Sequence, residues 1–153
     1  VNYLFKNFLH SQQMLRKQEI EKEQKSAALP LRMQAYERLS LFCERIAVPT
    51  LLLRFPPTDQ NAKTYKLTLL LAIQQEFEHN ISQQVYVSQS LWKIIGLAKN
   101  QTINIITKTG DNLPENATAE DFRMILMHQL ANIESPLDTA LMAIKKEAGI
   151  LLG

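Results

Sequence analysis

Apolar residues recur at helical spacing along most of this chain. The clearest stripe is Ala35, Tyr36, Leu39, Phe42, Cys43 and Ile46, which predicts an amphipathic helix over residues 30–46. Pro30 stands where a first-turn proline belongs. Arg38 and Arg45 flank one side of the stripe, and Glu37 and Glu44 lie nearly opposite. Ahead of it the pattern changes twice. Tyr3, Leu4, Phe5, Phe8 and Leu9 form an apolar opening, and residues 18–25 then carry Ile20 as their one aliphatic residue. Together they predict a first helix over residues 2–28 that is polar all round in its second half, either a solvent-spanning stalk or a frayed end. Glu21 and Lys25 have the i,i+4 spacing of a supporting ion pair.

Residues 47–58 read as irregular. Pro49, Pro56 and Pro57 bracket Leu51 to Phe55, which favours an extended segment and excludes a long helix. A third helix is expected over residues 61–84. Leu70, Ile73, Phe77 and Ile81 form its main stripe, and Leu69 and Ala72 a weaker second edge, so it should be the central helix. Residues 85–87 are a β-prone connector. Ser88 caps a fourth helix to about residue 108, with Leu91, Trp92, Ile95, Ala98 and Ile106 inward and Gly110 as a stop. Thr118 caps a fifth helix over 119–133, and Ser135-Pro136 opens a sixth that carries Leu137, Leu141, Ile144 and Ala148. The pattern predicts an all-α fold, a five- to six-helix bundle over residues 29–153 with a long, polar, projecting N-terminal helix over 1–28. Short links between helices two, four, five and six favour antiparallel neighbours.

Composition agrees. The chain has 153 residues, 46% hydrophobic and 21% charged, with four glycines and six prolines. That is enough for one cored domain rich in helix formers. A net charge of +2 falls well short of a nucleic-acid footprint. Cys43 is the only cysteine, so no disulfide closes within the chain, and a reducing compartment is the natural setting. No apolar run reaches the length of a spanning helix. The apolar opening followed by Lys6, Arg16, Lys17, Lys22 and Lys25 reads as the trailing end of a membrane anchor lying ahead of Val1. By the positive-inside rule it then places the domain on the cytoplasmic face of the inner membrane. The other reading is that these apolar side chains pack onto the domain.

Candidate chemistry is sparse. Glu76 and His79 lie three apart on a helix, the spacing used by carboxylate-bridged dimetal sites in bundles. Neither His10 nor His128 has a glutamate three residues before it, so the second copy is missing. Glu37 and Glu44 could add carboxylates but not the second histidine. A plain polar network around His79 explains the pattern as well. Cys43 falls in the apolar stripe, where a buried structural thiol is expected. Trp92, Tyr86, Phe77 and Tyr36 are either core or the lining of a ligand pocket. Sequons at Asn80, Asn100 and Asn116 are the kind that occur by chance, two of them within predicted helices. No phosphate loop, dinucleotide fingerprint, nucleophile elbow, paired-cysteine zinc motif or kinase set is present.

Two patterns carry a resemblance. Arg32-x-Gln34-Ala35-Tyr36-Glu37-Arg38-Leu39 and Glu78-His79-Asn80-x-Ser82-Gln83-Gln84 resemble those of an uncharacterised bacterial family of the Bacteroidetes lineage, most closely over residues 30–107. The resemblance implies a membrane anchor followed by a helical cytoplasmic domain, and it carries no known activity. It marks Tyr36, Glu37, Arg38, Glu78, His79, Asn80, Gln83 and Gln84 for a shared polar network or contact surface. The expectation is a non-enzymatic, membrane-tethered interaction domain that needs no cofactor, binds protein and no nucleic acid, and self-associates, if at all, through the N-terminal helix. That helix is thinly apolar for a coiled coil. The alternative is a metal- or small-ligand-binding bundle centred on Glu76 and His79.

Overall fold

The computed structural model describes residues 2–153. It is all-α: six α-helices, a single 3₁₀ segment and no strand among the described residues. The helices are α1 (Asn2–Ile46), α2 (Val48–Arg54), α3 (Ala62–Asn80), α4 (Gln89–Asp111), α5 (Ala119–Leu130) and α6 (Pro136–Leu152), with the 3₁₀ segment Ile81–Tyr86 between α3 and α4. Two compact units divide the chain, one ending at Gln34 and the other Ala35–Gly153.

In the first unit the expected break at Pro30 is absent, because α1 runs through it as one helix. Proline at this position removes one donor and leaves the Ser26 carbonyl without its intrahelical partner. Both Ser26 and Pro30 are exposed, so water can satisfy that carbonyl. Tyr3, Leu4, Phe5, Phe8 and Leu9 are all exposed on this unit.

The second unit buries Ala35, Tyr36, Leu39, Phe42, Cys43 and Ile46 of α1, the stripe that periodicity marks. Full burial of an aliphatic or aromatic side chain of this size is worth about 1.5–3 kcal/mol. The segment expected to be extended is instead the short helix α2, which buries Val48, Leu51 and Leu52. Pro49 falls in its first turn, where the missing N–H has no intrahelical acceptor to lose, and Pro56 and Pro57 fall beyond its end. The prolines bracket a helix instead of preventing one.

Helix α3 is the central element and packs against α2, α4 and α5. The expected main stripe keeps Ile73 buried, and the weaker edge carries more burial than expected. Tyr65, Leu69, Ala72 and Ile73 are buried, Leu70 and Phe77 are half-buried, and Ile81 is exposed. Three flanking helices leave no single stripe on α3. The α-helix ends at Asn80, and the chain tightens into the 3₁₀ segment, which takes in Val85 and Tyr86 of the supposed β-prone connector. Helix α4 continues through Gly110 to Asp111. No described residue has a positive φ, so Gly110 is not a left-handed stop. It makes room instead: a Cβ there would come within 2.6 Å of the Lys66 side chain, whose Nζ reaches Asp111 Oδ1 at 2.9 Å. Helix α5 ends at Leu130, short of residue 133.

Capping fixes the helix starts. Ser88, Thr118 and Ser135 accept from the backbone of Leu91, Asp121 and Leu137, and Thr118 with Asp121 completes a capping box. An isolated antiparallel bridge between Asn61 and Thr118 ties the N-termini of α3 and α5 together. The most extensive contact of α6 is with α4 and not with its chain neighbour α5, so the short link does not set the pairing. The long apolar face of α4 (Leu91, Ile95, Ala98, Ile106) does.

Candidate functional site

Three segments of the second unit meet at a surface cleft of about 410 Å³ lined by Arg38, Leu41, Phe42 and Arg45 of α1, Arg54 of α2, and Gln75, Glu76, His79 and Asn80 of α3. Glu76 is its centre. Arg45 donates to Glu76 Oε1 through Nε at 2.6 Å, and Arg54 Nη2 donates to the same oxygen at 3.1 Å. Burial alone would push the Glu76 carboxyl up. The hydrogen bond and charge of Arg45, with those of Arg54, outweigh it and hold the carboxyl below the ordinary glutamate range.

The same arginines close helix ends. Arg54 Nη1 donates to the Arg45 carbonyl at 3.1 Å in the last turn of α1, and Arg38 Nη2 donates to the His79 carbonyl at 2.7 Å in the last turn of α3. Carbonyls there lack intrahelical partners and carry the negative end of the helix dipole, so a guanidinium suits them. Asn80 Nδ2 donates to the Glu76 carbonyl at 2.7 Å, and the α-helix gives way to the 3₁₀ segment at that residue.

Of the residues that sequence singled out, the cleft gathers Arg38, Glu76, His79 and Asn80. Glu37, Glu44, Glu78 and Gln84 are exposed and outside its lining. Glu78 accepts only from Gln74 on its own helix, at 3.2 Å. Gln83 is buried in the 3₁₀ segment. The geometry does not suit a metal centre on Glu76 and His79. Among the described residues no three His, Cys, Asp or Glu side chains converge, and the Glu76 carboxylate already faces two guanidiniums, which repel a divalent cation. Arg45 and Arg54, the partners that define the site, were missed as site residues. Arg45 reads as a flanking charge, and Arg54 sits in a segment that looked extended.

Tyr36 belongs to a different knot. Its hydroxyl donates to Glu147 Oε2 at 3.0 Å, the Ser88 N–H donates to the same oxygen at 3.2 Å, and Ser88 Oγ donates to Glu147 Oε1. Ser88 Oγ in turn accepts from the Leu91 N–H at 3.0 Å. One carboxylate on α6 thus joins α1 to the N-terminus of α4. The signal was available: Glu147 lies three residues after Ile144 and seven after Ala140, on the buried stripe of α6.

Of the four aromatics considered for a pocket, Phe77 and Trp92 pack on each other. Phe77 stacks on Trp92 at 5.8 Å and tilts against Phe42 at 6.3 Å. Lys99 Nζ lies 3.6 Å from the Phe77 ring centroid, with its ammonium pushed down by burial. Cys43 is fully buried, and burial first, then the Glu44 charge, push its thiol up to about 12. A thiol so placed supplies no thiolate nucleophile at neutral pH.

A family model described as a family of unknown function (DUF7935) matches residues 1–151. No curated protein matches the chain, and no solved structure does. With the match running over nearly the whole length, the chain belongs to the family of unknown function DUF7935.

Proposed function

We propose that the chain is a non-enzymatic helical interaction domain tethered to a membrane through the apolar first turns of α1. The observation that carries this is the exposure of Tyr3 (75%), Leu4 (73%), Phe5 (61%) and Phe8 (59%) in the first turns of α1. At about 100° per residue Leu4, Phe5, Phe8 and Leu9 fall within one arc of about 140°, with Lys6 and His10 on the opposite side. An exposed apolar arc opposed by polar and cationic residues suits a helix end lying at the boundary of a bilayer. No described helix is long and apolar enough to cross a membrane, and the tether rests on these turns. Lys6, Arg16, Lys17, Lys22 and Lys25 follow along the same helix. Their bias is what supports a cytoplasmic face in this reading.

The second unit supports the non-enzymatic part. Its most conspicuous acid, Glu76, is held by two arginines, its one thiol is inert, and its partly buried Glu147 fastens helices together. The partner is a protein, and a second copy joined through α1 is one arrangement of it.

Vesicle flotation tests the tether. The chain should float with phosphatidylcholine vesicles and more completely with anionic ones. A variant carrying serine at positions 3, 4, 5, 8 and 9 should stay with the soluble fraction while keeping its helical content. A wild-type chain that remains soluble with both vesicles would overturn the reading. Cross-linking of the full-length form in its own cells identifies the partner, and sedimentation of the same preparation reads self-association.

A further inference from the structure

We propose that the arginine-lined cleft of α1, α2 and α3 binds a phosphate monoester, through Arg38, Arg45 and Arg54. Three guanidiniums stand there against the single carboxylate of Glu76, while the neighbouring acids Glu37, Glu44 and Glu78 lie outside the lining. The excess positive charge is therefore concentrated in the concavity. Within the protein the arginines use Nη2 of Arg38, Nε and Nη2 of Arg45, and Nη1 and Nη2 of Arg54. Each guanidinium has more N–H donors than that, which leaves donors for a ligand. Gln75 and Asn80 add amides to the same wall.

The cleft is also built in advance. Glu76 pins Arg45 and Arg54, the Arg45 carbonyl pins Arg54 a second time, and the His79 carbonyl pins Arg38. A ligand meeting side chains already in place avoids most of the rotamer entropy that free arginines would lose. The guanidinium fork matches phosphate oxygens in pairs, and a dianion answers the charge excess better than a single carboxylate. A volume of about 410 Å³ lies in the range of small-molecule sites, so the phosphate comes with an organic group, for which Leu41 and Phe42 supply an apolar wall.

The same chemistry is presented by a soluble phosphate ester and by the headgroup of phosphatidic acid, and two arms of one experiment separate them. In the first, the arginine Nε–H resonances of the full chain are followed while glycerol phosphate is added at constant ionic strength, with chloride as the reference. The Arg45 and Arg54 signals should move saturably. Arg38→Gln, an exposed position outside the Glu76 pair, should weaken the response at least fivefold with the helical content unchanged. Arg54→Lys keeps the charge but loses the fork, and should weaken it as well. In the second arm, wild type and Arg38→Gln are compared on vesicles of phosphatidic acid and of phosphatidylserine. Extra retention on phosphatidic acid that Arg38→Gln loses assigns the ligand to a lipid headgroup. Equal retention alongside a saturable response to glycerol phosphate assigns it to a soluble ester. Absence of any saturable response through about 10 mM, tenfold above a millimolar Kd, overturns the proposal, and so does a response that Arg38→Gln and Arg54→Lys leave intact.

Discussion

Replacing Glu76 by glutamine removes the charge that joins α1, α2 and α3 while keeping the side-chain shape. Arg54 is 27% exposed and Glu76 12% exposed in their side chains, so this hydrogen bond is partly desolvated. A bond to a charged group of that kind contributes about 1.5 kcal/mol. Arg45 is 40% exposed and is discounted to the value of a surface pair, about 0.5 kcal/mol. Glutamine keeps one neutral hydrogen bond, so the expected loss is about 1–2 kcal/mol, a few degrees in melting temperature for a chain of this size. Urea unfolding followed by fluorescence reads it directly. Trp92 is the only tryptophan, and it stacks on Phe77 beside Glu76.

The pH dependence gives a second check. The folded carboxyl lies below the ordinary glutamate value of 4.5. Its stabilisation is therefore fully present above that value and is lost as pH falls through the folded value. Wild type and Glu76→Gln should differ by a constant amount near neutrality and converge as pH falls through the folded value. Equal midpoints at pH 7, or a gap that never narrows as the protein is acidified below the ordinary glutamate range, would refute the reasoning.

Two further outcomes test the second unit. Tyr36→Phe and Glu147→Gln should each cost about 1–2 kcal/mol, and the double variant should cost less than the sum, because both remove one shared hydrogen bond; additive losses in a double-mutant cycle would show the two groups to be independent. Cys43 should resist a thiol reagent at pH 8 in the native protein and react fully in urea, given its burial and a thiol pushed up to about 12; rapid native labelling would place it at the surface.

Reading this chain by its periodicity works where a helix has one apolar face. The buried set of α1 in the second unit is the marked stripe, residue for residue, and the starts of α4, α5 and α6 follow from Ser88, Thr118 and Ser135. Those are local matters: a helix buries what lies at three- and four-residue spacing, and a hydroxyl caps the N–H groups just after it. Periodicity fails on α3, which is flanked by three helices, so that Leu69 outranks Leu70 for reasons written in the neighbours. Proline is ambiguous for a similar reason. Pro30, Pro49 and Pro56 carry the same chemistry, yet one is passed through by a helix, one opens a helix and one follows a helix.

The site shows the same division. Sequence alone determined the all-α class, the capped helices and the interest of Arg38, Glu76, His79 and Asn80. Only the tertiary structure decided that Glu76 meets Arg45 and Arg54, and that Tyr36 meets Glu147 across 111 positions of chain. A charged side chain declares its sign locally. Which opposite charge it reaches depends on how α1, α2 and α3 pack, and that is set by the sum of many apolar contacts, none of which is written at the charged residue itself.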